Sequence, residues 1–222
     1  MNHQSGNYLV ISFLTLRKAI GCLGMALPFV LALGGMLLFQ LDIQSSISGY
    51  YHTGMRDVFV GTLCAIGIFL WGYKGYDHHD NRASNIAGFS AIGVALFPTS
   101  PISPSSIEKF IGGVHIVFAA SFFISLALIS LFLFTKSEPS KRPTPRKLQR
   151  NLVYRLCGYT MLAAMVLITI VGLLPKSAMN WLENIDPLFW LESAAIFAFG
   201  VSWFVKGEGI LEDTGKTSVD PK

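Results

Sequence analysis

Six apolar stretches alternate with polar segments along the chain: Ala19–Phe39, Val58–Tyr73, Ala83–Pro98, Phe110–Phe134, Leu156–Pro175 and Leu188–Val205. A helix crossing about 30 Å of hydrocarbon needs roughly 20 mostly apolar residues. The first, fourth and fifth stretches reach that length. The second, third and sixth are shorter and have to recruit neighbouring residues, tilt, or be shielded by the others. The pattern predicts an all-α fold: a polytopic membrane helix bundle with six transmembrane helices in one domain, residues 1–206, followed by a polar, disordered tail, 207–222. No solenoid or propeller period is visible, and no inverted repeat relates the two halves.

The basic residues fall into alternate gaps. With the N-terminus inside and six alternating helices, every one of the 17 Lys and Arg residues lies on the inner side except Arg56, Lys109 and Lys176. Such a bias in short loops sets orientation, so both termini are expected to be cytoplasmic. Composition agrees: 52% of the residues are hydrophobic, only 14% are charged, and the mean hydropathy is +0.52. The net charge of +4 is concentrated in Thr135–Arg150, a basic, proline-containing segment. It reads as a topology determinant with some attraction to anionic lipid headgroups, so membrane lipids are the expected partners and nucleic acid is not. The run Tyr8–Leu16 precedes Arg17 and Lys18, the reverse of the charge-first order of a signal peptide. Met1–Leu16 is expected to lie along the inner interface.

Gly21, Gly24, Gly34 and Gly35 in the first stretch mark close helix packing, and Pro28 marks a kink. Pro98, Pro101 and Pro104 end the third helix at Phe97 and open an outer loop. Cys22, Cys64 and Cys157 lie in apolar stretches without pairing or CxxC spacing and read as small buried hydrophobes. No nucleotide-binding glycine motif is present.

Candidate chemistry gathers on the outer side. If helix begins near Ser45 or Ser46, then Ser48, His52 and Arg56 are spaced i, i+4, i+8 on one face, with Asp57 one residue round. His115 lies just inside the fourth helix with Glu108 above it, and Glu192 lies at the outer end of the sixth. Ionisable residues at membrane depth are costly and are either paired or functional. An outer cavity lined by Ser48, His52, Arg56, Asp57, His115 and Glu192 is therefore expected, provided the second, fourth and sixth helices are neighbours. The competing reading is structural: Arg56 paired with Asp57 or Glu192, and His52 bridging through Ser48. A second histidine group, Asp77-His78-His79-Asp80, reads as an exposed polar turn of an inner loop rather than a metal site.

The block from Ser48 to Phe118, with Ser48–His52, Arg56, Phe97-Pro98-Thr99 and then His115 with Phe118-Ala119-Ala120, resembles a bacterial group of six-span membrane proteins of unknown function. That resemblance implies a six-helix bundle in a bacterial cytoplasmic membrane and no established reaction. Ser48-x-x-x-His52 also resembles the Ser-x-x-x-His element of the CREST superfamily, which includes alkaline ceramidases and the progestin and adipoQ receptors. Those proteins have seven spans and hold zinc with three histidines, two of them in a late His-x-x-x-His motif. This chain has no histidine after His115.

Three functional readings follow. The first is an outward-facing polar cavity that binds a lipid headgroup or small anionic ligand, with no metal and no cofactor, because Arg56 favours an anion and repels a cation. The second is a metal-dependent hydrolase of lipid amides or esters with zinc on His52, His115 and a carboxylate, Glu192 or Asp57. The third is a small transporter.

Overall fold

The structure, a computed structural model, describes residues 13–73, 78–137, 143–175 and 185–211. Among the described residues there are six long helices and no strand: α1 (Phe13–Phe39), α2 (Arg56–Gly72), α3 (His78–Leu96), α4 (Ser106–Leu128, continued by a π-helical turn, Ile129–Leu133), α5 (Pro145–Leu173) and α6 (Pro187–Lys206). Each coincides with one apolar stretch of the sequence. Four of them, α1, α4 with its π turn, α5 and α6, are long and apolar enough to cross a membrane. The sixth stretch reaches that length by starting at Pro187. Helix α2 has only 17 residues, and α3 opens on the polar run His78-His79-Asp80-Asn81-Arg82.

Local chemistry sets the boundaries. Ser105 and Glu108 form a reciprocal capping box on α4: Ser105 Oγ accepts the Glu108 amide and Glu108 Oε2 accepts the Ser105 amide. Thr144 caps α5 ahead of Pro145. Helix α1 ends at Gln40, whose φ of 53° is left-handed, and Leu41 N–H closes back onto the Gly35 carbonyl at 3.1 Å. Phe13–Leu16, expected along the interface, continue α1 as helix; residues 1–12 lie outside the described residues.

The helices form a closed ring. Each packs against its neighbours in sequence, and α6 closes on α1. The α1–α6 seam is built on glycine: a Cβ at Gly21 would stand 2.6 Å from the Phe204 nitrogen and 2.8 Å from the Gly200 carbonyl. The α2–α3 seam repeats the device, with a Cβ at Gly88 2.6 Å from the Gly67 carbonyl. Only such small residues let backbones approach this closely. Inside the ring, Phe122, Phe199, Trp203, Phe134 and Tyr154 fill one half and Leu27, Leu31, Tyr50, Phe59 and Phe189 the other.

The ring corrects one expectation. Helix α2 packs mainly on α1 and α3, α4 on α3 and α5, and α6 on α1 and α5; α4 and α6 also touch through Phe122–Phe199 and, from the π turn, Ser130–Ser202, but α2 is not a main packing neighbour of either. Two segments expected to be exposed are also folded in. Asp80 is buried and bonded to Lys136 Nζ at 2.7 Å, so the histidine-rich turn is the opening of α3. His78 is exposed there, while Asp77 and the side chain of His79 lie outside the described residues. Gly207 is buried, and Leu211 accepts from Arg150 Nη1 at 3.2 Å, so the first residues of the expected tail pack on the bundle; the rest of it, from Glu212, lies outside the described residues.

Candidate functional site at the plugged end of the ring

The segment between α1 and α2 is not the helical extension that the Ser48, His52, Arg56 spacing predicts. Ser48–His52 is one turn of 3-10 helix, Thr53 is extended, and α2 starts at Arg56. Gly49 and Gly54 mark the places where the chain turns. Ile47, Tyr50 and Met55 are almost fully buried, so the segment folds back into the mouth of the ring as a plug. Burial also pushes the Tyr50 phenol above its ordinary pKa.

Three sets of contacts hold the plug. Toward α6, Glu192 Oε2 accepts the Ser48 amide at 3.1 Å with the Ile47 amide nearby, which places the carboxyl group at the N-terminal amides of the 3-10 turn. Phe189 N–H donates to the Ser45 carbonyl at 3.0 Å beside the Tyr50–Phe189 ring contact. Toward α3 and α4, His52 Nε2 meets the Thr99 carbonyl at 2.8 Å.

His115, buried on α4, meets the same turn from the other side. Its Nδ1 lies 2.7 Å from the Phe97 carbonyl, and the Val94 carbonyl is near enough to act on the ring electrostatically. Proline explains why those two oxygens need a partner. In a continuing helix Val94 would accept from residue 98 and Phe97 from residue 101, and both are prolines without an N–H. His115 supplies the missing donor. Two histidines from separate elements therefore grip carbonyls two residues apart in Phe97-Pro98-Thr99, and His52 is close enough to influence both His115 and Glu108 electrostatically.

The six expected site residues thus fall into three groups. His52 and His115 meet at the proline turn. Ser48 and Glu192 meet through a backbone amide, with Ser48 Oγ 3.3 Å from Ser46 Oγ rather than on His52. Arg56 and Asp57 are exposed at the start of α2. Arg56 turns to Tyr51, a residue the sequence reading did not select: its Cζ lies 4.4 Å from the ring centre and its Nη2 donates to Tyr51 Oη at 2.7 Å.

A zinc shell on His52, His115 and Glu192 would need all three on one ion. Among the described residues no three His, Cys, Asp or Glu side chains converge as such a shell. The ring nitrogens facing the Phe97 and Thr99 carbonyls act as donors, which leaves the lone pair of each neutral ring on His115 Nε2 and His52 Nδ1. Chemically, the plugged end offers an exposed guanidinium fixed on an aromatic ring, flanked by an exposed imidazole and the exposed carboxylates of Asp57 and Glu108. The fold and this site define an all-helical protein with four helices able to cross a membrane and a polar plug at one end. No known protein family, curated protein or solved structure matches the chain.

Proposed function

We propose that the chain is a six-span integral membrane protein of a bacterial cytoplasmic membrane whose plugged end faces outward and binds an anionic headgroup or small anionic ligand through Arg56. The Arg56–Tyr51 pair carries this reading. A guanidinium has five N–H donors; the bond to Tyr51 uses one and the stacking fixes the plane, so the remaining fork is preset for a carboxylate or phosphate. Both residues are held by the plug, whose own contacts are internal.

Six spans are supported by the flanks of the two helices that fall short on length or polarity. Ile68 and Trp71 on α2, and Ile86 and Phe89 on α3, are all more than half exposed, a surface suited to lipid rather than water. Sidedness is supported by the cations at the other end of the ring, Arg17, Lys136, Lys147, Arg150 and Lys206, which belong in the cytoplasm by the charge rule. Both ends of the ring's chain, the start of α1 and the finish of α6, then lie on the cytoplasmic side. For the hydrolase reading, no three candidate metal ligands converge among the described residues, and no observation favours the transporter.

The test is a titration of the full chain, purified in neutral detergent, with short-chain phosphatidylglycerol. Arg56→Gln is expected to weaken the plugged-end component about tenfold, and Arg56→Lys is not expected to restore it, because the planar fork is lost. Equal binding by the protein and Arg56→Gln would contradict the proposal.

A further inference from the structure

Near the end opposite the plug, α4 leaves the regular α-helical period. Over Ile129–Leu133 the backbone widens to a π-helical turn, and Phe134 N–H reaches back five residues to the Ile129 carbonyl at 2.8 Å. Such turns inside α-helices are frequent at functional sites. Thr135 Oγ1 donates to the Leu131 carbonyl at 2.7 Å and so closes the widened turn with a side chain. The turn is seated on α5 at a glycine: a Cβ at Gly158 would stand 2.5 Å from Leu131 Cγ. Around that contact the two helices enclose a groove of about 490 Å³. Its apolar walls are Leu128, Leu131, Phe132 and Leu162, and its polar lining is Thr135, Arg155 and Tyr159. Leu128, Phe132, Arg155 and Tyr159 are exposed, so the groove opens away from the ring, on the flank of two helices able to cross a membrane.

The groove is graded along the helix axes. Arg155 directly precedes the apolar stretch Leu156–Pro175, and Thr135 directly follows Phe110–Phe134. Both therefore stand where hydrocarbon gives way to headgroups. Leu162 and Leu128 each lie seven residues deeper, about 10 Å at the helical rise. Tyr159 follows Arg155 at i+4 on the same exposed face, a residue type suited to the membrane interface. The polar end also has donors to spare. Neither the Arg155 guanidinium nor the Tyr159 hydroxyl has a hydrogen-bond or ion-pair partner among the described residues, and no carboxylate lines the groove. Water alone can satisfy an arginine at a helix end; the cleft beside this one is what sets it apart. A concave, mostly apolar site with a few polar groups at one end has the form of a ligand pocket.

We propose that the α4–α5 groove holds one anionic phospholipid, with its phosphate on Arg155 and Tyr159 and part of an acyl chain along Leu128, Leu131, Phe132 and Leu162. Three features select this occupant. The groove opens from the flank of two membrane-crossing helices, so lipid reaches it directly. Its mouth carries a cation that no neighbouring carboxylate cancels, which favours an anionic headgroup over a zwitterionic one. A guanidinium fork takes a phosphate in two bonds, and the phenol adds a third donor. Finally, the apolar walls match a chain attached to that phosphate, whereas a soluble anion would leave them unused. The site lies at the other end of the ring from Arg56 and does not depend on it.

The test uses the full chain carrying Arg56→Gln, so that the plugged end does not contribute, purified in neutral detergent. Bound lipid is counted by native mass spectrometry during titration with dioleoyl phosphatidylglycerol, dioleoyl phosphatidylcholine or glycerophosphate. One phosphatidylglycerol is expected to bind saturably, about tenfold tighter than phosphatidylcholine. Arg155→Gln is expected to weaken it about tenfold and Tyr159→Phe about threefold. Arg82→Gln, at an exposed cation on α3, should leave it unchanged. Unfolding temperature in detergent checks that the variants are folded. Equal binding of the two lipids overturns the proposal, as does binding that Arg82→Gln weakens as much as Arg155→Gln. Saturation by glycerophosphate with the same dependence on Arg155 assigns a soluble anion and overturns the lipid. Absence of saturable phosphatidylglycerol binding overturns it without recourse to any groove variant.

Discussion

His115 and His52 carry most of what can be said at the scale of single residues. The sequence offers both as candidate ligands, since an imidazole at membrane depth is either functional or paired. The structure pairs them. The signal that would have found this is the register of the prolines: Pro98 and Pro101 strip the donors from the Val94 and Phe97 carbonyls, and His115 is the donor that answers. Loss of His115 should therefore appear as lost stability. His115→Ala is expected to cost about 1–3 kcal/mol, the range for a buried polar group left unpaired. His115→Asn should recover part of it, because the Asn amide nitrogen sits near the place of Nδ1. His52→Ala should cost less, about 0.5–1.5 kcal/mol, because that bond is exposed. Thermal unfolding in detergent checks all three, and an unaffected His115→Ala protein would remove the clamp. The Arg56–Tyr51 pair was half legible. The arginine stood out as an outer charge, but its partner depended on a backbone turn that spacing does not encode.

Among elements, the six helices were legible because apolar runs bounded by prolines, caps and charge leave few alternatives. Helix α3 stops at Leu96, as three prolines in the next eight residues require. The plug was not legible. Ser48, His52 and Arg56 match a helical period, and no rule of spacing alone separates a helix from a 3-10 turn, an extended residue and a new helix. The contrary clues were Gly49 and Gly54, and the burial of Ile47 and Tyr50, which only the ring supplies. Packing order was hidden for a similar reason. The glycines of α1 announced a close seam, but not that the seam lies against Gly200 of α6. That seam is testable: a Cβ at Gly200 would stand 2.5 Å from the Met25 nitrogen and 2.7 Å from the Gly21 carbonyl. Gly200→Val is expected to destabilise by about 1–3 kcal/mol or more, as overpacking does. Gly61→Val, at a position with open space, should leave the unfolding temperature in detergent nearly unchanged. Equal effects at the two positions would argue against the α1–α6 seam.

For the whole molecule, the composition and the alternation of charge were enough to indicate a membrane bundle, and they expect both helix-terminal ends of the ring on the cytoplasmic side. They could not show that Arg17, Lys147 and Lys206 gather over one row of aromatic rings, because the three are far apart in sequence and meet only when α6 packs on both α1 and α5. A six-span bundle requires α2 and α3 to cross the membrane along with the four longer helices. Residue 76, between α2 and α3, decides this, because a hairpin that failed to cross would leave it on the same side as residue 105. With Cys22, Cys64 and Cys157 replaced by Ala, single cysteines are introduced as Tyr76→Cys, Ser105→Cys and Ser140→Cys and labelled in intact cells with a membrane-impermeant maleimide. The six-span account predicts labelling at 105 from outside, and at 76 and 140 only after the membrane is opened. Labelling of 76 together with 105 in intact cells would contradict it.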